Sequence, residues 1–155
     1  MQKEARINSL FGETIYQTHI EDNEKINQEI TPHIEAFVKA SPGSTAATTD
    51  VKGNTNFTNL EEAKDNLHTD SKYASLFSKL QTHITNFLKA KGYSQDKFDA
   101  HITKAWATYT AKDQHIASHK HTASHFSMVY YVRNEDMGNI HFEKELAAQT
   151  GLFIP

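Results

Sequence analysis

Apolar residues recur at helical spacing through the first two thirds of the chain and alternate with polar ones in the last third. Residues 7–20 read as a short extended opening segment: Ile15 and Tyr16 favour strand, and Gly12 permits a turn. From Glu21 to Ala40, Ile26, Ile30, Ile34, Phe37 and Val38 fall on one helical face. Pro32 lies inside that pattern and predicts a kink, or two helices meeting near Thr31, and Ser41-Pro42-Gly43 ends it. Residues 41–59 are rich in Ser, Thr, Asn and Gly and read as a flexible surface loop. After a short amphipathic stretch, Leu60 to Leu67, the strongest helical stripe follows: Tyr73, Leu76, Phe77, Leu80, Ile84, Phe87 and Leu88. Thr69, Asp70 or Ser71 can cap its start, and Gly92 follows its basic end. His83 lies beside the stripe and is expected to be a structural, hydrogen-bonded histidine.

Beyond the linker YSQDKF the period changes to two. Asp99 to Thr110 places Ile102, Lys104, Trp106 and Thr108 on one face of an expected strand. Residues 111–114 read as a turn, and His115 to His121 as a second strand. Ser124 to Arg133 reads as a third, and Asn139 to Glu143 as a short fourth after the turn NEDMG. Helices followed by consecutive short strands imply an α+β chain with an antiparallel β core. A single domain over 1–155 is expected, with 1–92 mainly helical support and 99–155 the β core.

Composition narrows the function. The chain has 155 residues and a formal net charge of −3, with no basic block, so nothing marks nucleic acid or an anionic membrane as a partner. It has no Cys, which removes disulfides, thiolate catalysis and Cys-type zinc sites. With no membrane-length apolar run and no signal-peptide pattern, a cytoplasmic location is expected. No G-x-S-x-G elbow, phosphate-binding glycine loop or paired carboxylates accompany the histidines.

The ten His outnumber the six Gly and three Pro, and His115, His119, His121 and His125 lie close together. On an extended strand, residues two apart share a face, so His119 and His121 would project side by side. Two imidazoles on one rigid element suit a divalent metal. The same spacing also suits two partly exposed strand histidines with ordinary hydrogen bonds. Apart from catalysis, the His115–His125 cluster could serve a non-catalytic β-module that binds a divalent ion.

Several stretches together resemble a known family. They are Trp106 to Tyr109 (WATY), Ser118 to Ser124 (SHKHTAS), Phe126 to Val132 (FSMVYYV) and Gly138 to Phe142 (GNIHF). Upstream, Asp65 to Asp70 (DNLHTD) and Ser9 to Tyr16 (SLFGETIY) match as well. The chain resembles iron(II)- and 2-oxoglutarate-dependent oxygenases, in a family common in marine bacteria and phages and similar to prolyl hydroxylases. The resemblance implies an antiparallel double-stranded β-helix, or jelly roll, with N-terminal helices packed against it. It implies iron(II) as metal, 2-oxoglutarate as cosubstrate, molecular oxygen, and a small-molecule or peptide substrate, and it is compatible with a homo-oligomer. A phage-encoded protein would work in the host cytoplasm.

By the same resemblance, His119 and His121 are the metal ligands, and Tyr131, with Tyr109 as a second candidate, contacts 2-oxoglutarate. His121 stands where the family has Asp or Glu, so either the ligand set is all-His, or His121 lies behind the ligands and the acid comes from elsewhere, Asp113 being the nearest upstream. The family's distal His and its 2-oxoglutarate-binding Arg belong to later strands. Here no Arg follows Arg133, and His141 matches no family ligand. The expectation is therefore a dioxygenase of this kind, which would draw on further chain, a partner subunit or a rearranged site, or a truncated member of the family.

Overall fold

A computed structural model describes residues 5–10, 13–40, 54–55, 66–110, 116, 118–121, 124–134 and 139–143. The opening segment is a hairpin. Strand β1 (Arg6–Leu10) pairs antiparallel with β2 (Glu13–Gln17), with Ile7 opposite Tyr16 and Asn8 opposite Ile15. Asp22 then takes a left-handed backbone, φ 58°, which Asp tolerates better than most residues. Its carbonyl accepts the Ile26 N–H at 3.0 Å as helix α1 (Asn23–Ala40) begins.

Helix α1 runs unbroken through Pro32, and the expected junction of two helices is not found. The proline removes one N–H from the ladder. Ile30, fully buried before it, and Ile34 after it pack into the same core.

The second helical unit starts with two short 3-10 turns, Leu67–Thr69 and Ser71–Tyr73. Asp70 separates them, and its carboxylate accepts the Lys72 N–H at 3.0 Å, so one of the three anticipated caps is used. Helix α2 (Ala74–Ala90) follows and ends where expected: Gly92 has φ 80°, a conformation glycine adopts without a Cβ clash. The predicted stripe is the buried face. Tyr73, Leu76, Leu80 and Leu88 are buried, and Phe77, Ile84 and Phe87 are half-buried.

The core lies between the helices. Ile20, Ile26 and Ile30 meet Tyr73, Leu76 and Leu80, and Ile34, Leu67, Phe77, Ile102, Tyr130 and Val132 close around them. The hairpin rests on α2, with the Tyr16 ring 6.0 Å from the rings of both His83 and Phe87.

The C-terminal region departs from the four-strand expectation. Its regular β structure among the described residues is β4 (Thr108–Tyr109), antiparallel to β3 (Asn54–Thr55), plus one parallel bridge between Asn66 and Ala105. The class is α+β with small two-stranded antiparallel sheets, and the described residues contain no jelly-roll barrel. Residues 124–134 and 139–143 form no ladder with each other. Helix side chains bond two carbonyls of the chain beyond α2 instead: Asn27 on α1 donates to that of Val132 at 2.8 Å, and Gln81 on α2 donates to that of Ala100 at 2.6 Å. The alternation itself survives from Val129 to Arg133, with Tyr130 and Val132 turned toward the core and Val129, Tyr131 and Arg133 exposed.

The expected turn at 111–114, most of the loop at 41–59, and residues 60–65 lie outside the described residues. No helix among the described residues is long and apolar enough to cross a membrane.

Candidate metal-binding site

His119 and His121 come together. Their rings meet edge to face, with centres 5.0 Å apart and planes at 75°. Lys120 separates them in sequence, and the ring contact brings both imidazoles together beside it. Two imidazoles bound side by side to one ion, through bonds of about 2.1 Å and with ring centres about 1.1 Å beyond the nitrogens, have centres roughly 4.5–5.2 Å apart. The observed pair falls in that range.

Trp106 backs the pair. Its indole lies 5.5 Å from the His121 ring, tilted by 36°. The seat of the indole is set one residue earlier, where the Leu67 N–H donates to the Ala105 carbonyl at 3.0 Å and Asn66 bridges to Ala105. Asn66 and Leu67 are thus joined backbone to backbone to Ala105, the residue before Trp106. The pair is exposed, whereas Trp106 is half-buried. Partial desolvation, and then the neighbouring His119, push the His121 imidazole below its ordinary pKa. A neutral ring is the form that binds a metal.

The remaining expectations fare differently. Tyr109 sits in β4 with 56% of its surface exposed, and Tyr131 is 48% exposed. Both rings are open to solvent. His125 and His141 are exposed. His115 and Asp113 lie outside the described residues. Among the described residues, no three His, Cys, Asp or Glu are grouped to hold a metal ion, so the pair fits two positions of a ligand shell and a third is not among them.

His83 is satisfied as anticipated, its Nδ1 lying 3.2 Å from the Tyr16 hydroxyl. Burial lowers its pKa, opposed by Glu21 and reinforced by Lys79.

Two features escaped the sequence reading. One is the packing of Trp106 on His121; the period-two pattern placed Trp106 on a strand face without naming what that face meets. The other is His68, whose Nδ1 is buried without a hydrogen-bond partner among the described residues and whose ring meets Phe77 edge-on at 6.1 Å.

Two clefts of about 160 and 330 Å³ lie elsewhere, one around Gln81, Leu88 and Phe98 and the other around His33, Asp70 and Tyr73. Compared with family models, curated proteins and solved structures, the chain matched none.

Proposed function

We propose that this chain is an iron(II)- and 2-oxoglutarate-dependent dioxygenase, acting on a small-molecule or peptide substrate in the cytoplasm, built on the jelly-roll architecture of that class. The observation that carries the reading is the His119–His121 pair. Its ring separation of 5.0 Å suits two neighbouring positions on one divalent ion, and it occurs within the segment that resembles the family. When bound, iron(II) with 2-oxoglutarate and oxygen supplies the oxidising chemistry that hydroxylates a C–H bond.

The chain's share is to hold and orient. His119 and His121 bind the ion as neutral imidazoles. Tyr131, exposed on the alternating segment, offers its hydroxyl to a 2-oxoglutarate carboxylate, and Tyr109 is the second candidate for that contact. The half-buried Trp106 excludes water from one side of His121.

The test is an anaerobic titration with iron(II) and then 2-oxoglutarate, followed by visible absorption. The expected result is a weak metal-to-ligand charge-transfer band that His119→Ala abolishes. Iron uptake without the band, and without 2-oxoglutarate-dependent succinate release, would favour a non-catalytic divalent-metal module built on the His115–His125 cluster. No iron uptake at all would end the oxygenase reading.

A further inference from the structure

The indole of Trp106 covers one face of an otherwise exposed imidazole, and its own backbone is pinned. The Ala105 carbonyl takes the Leu67 N–H, and the Asn66 bridge secures the same residue to the turn that leads into α2. A half-buried ring on a pinned backbone is a fixed wall, whereas an exposed histidine on a short extended segment samples several rotamers. The wall removes those that would pass through the indole. His121 in turn meets His119 edge-on, so three rings form a row: Trp106, His121, His119.

We propose that Trp106 is the positioning residue of the histidine pair: its indole holds the His121 ring in the orientation that lets both imidazoles reach one divalent ion. This rests on the metal-binding reading of the pair. A ligand already oriented loses less rotamer freedom on binding. Supporting groups behind metal ligands commonly change affinity by about 10–100-fold when removed. Trp106 does this through ring contact and excluded volume.

Cobalt(II) is the probe, with two readouts. Calorimetry on the wild-type chain measures uptake, and the emission of the only tryptophan reports whether the ion arrives beside it. Emission is expected to fall as cobalt(II) binds and to level off at the calorimetric stoichiometry. His121→Ala is expected to remove the quenching. Trp106→Leu is expected to weaken cobalt(II) by about tenfold or more, and Trp106→Phe, which keeps a ring face, to stay within about threefold of wild type.

Cobalt(II) uptake with unchanged emission would put the ion away from the pair and overturn the metal reading of the pair together with the positioning role. A folded Trp106→Leu chain of wild-type affinity would overturn the positioning role alone. Absence of uptake by the wild-type chain would overturn both. If Trp106→Leu does not fold, the wild-type quenching and the Trp106→Phe affinity still decide.

Discussion

The Tyr130 hydroxyl donates to the Asn27 side-chain carbonyl at 2.7 Å, joining the extended C-terminal segment to the first turns of α1. The same Asn27 donates its amide to the Val132 carbonyl at 2.8 Å. One half-buried side chain therefore satisfies two groups of a segment that has no sheet partner among the described residues. Tyr130→Phe should cost about 1 kcal/mol, and Asn27→Ala, which strands both partners, about 2–3 kcal/mol. Urea unfolding of both single variants and the double variant should give a coupling energy of about 0.5–1.5 kcal/mol. Additive losses would mean that the bond is not maintained in solution.

Ile30 is the most deeply buried side chain, at 0% exposure between the two helices. Ile30→Ala is expected to destabilise by about 3 kcal/mol, combining lost transfer energy with a cavity. Ile7→Ala, at an exposed position of β1, should stay within about 0.5 kcal/mol. Similar losses at both sites would show that the helix pair is not the core.

His83 gives the fold a pH dependence of known sign. Burial lowers its pKa in the folded chain below the ordinary value of 6.5, with Glu21 opposing and Lys79 adding to the shift. The unfolded chain then binds more protons between the two values, so stability falls as pH drops through and below 6.5 and is fully present above it. Midpoints of denaturant unfolding between pH 7.5 and 5 should decrease, and His83→Gln should flatten that slope. The change is bounded by the ~1.4 kcal/mol per pH unit that one proton contributes. An equal slope in the variant would assign the effect to other histidines, His121 among them, whose pKa is lowered too.

Tyr131 separates the cosubstrate from the metal. On the proposed function, Tyr131→Phe leaves iron(II) affinity within about twofold and weakens 2-oxoglutarate by about 10–150-fold, the loss of one hydrogen bond to a charged group. Tyr109→Phe is the parallel control. Intensity of the charge-transfer band against 2-oxoglutarate concentration measures both. Loss of iron(II) in Tyr131→Phe would count against a cosubstrate role.

The helices were readable without coordinates because their determinants are local. A 3.6-residue stripe marked the buried face of α2, Asp70 offered a cap, and Gly92 a stop. The His119–His121 pair was readable for the same reason: two residues apart on extended chain is a local geometry. Pro32 does not split α1, because a missing N–H is a local loss that the shared packing of Ile30 and Ile34 outweighs. The strand signals misled. Alternation told which side chains of Val129 to Arg133 face inward, but not what pairs with their backbone, and that partner is a helix side chain from Asn27. Sequence by itself therefore determined the two helices, their faces and the adjacency of two imidazoles. Only the tertiary structure decided that the Asn66 turn pins Ala105 and thereby sets Trp106 against His121. That contact joins parts of the chain far apart in sequence, and the closure of such loops is governed by packing rather than by local spacing.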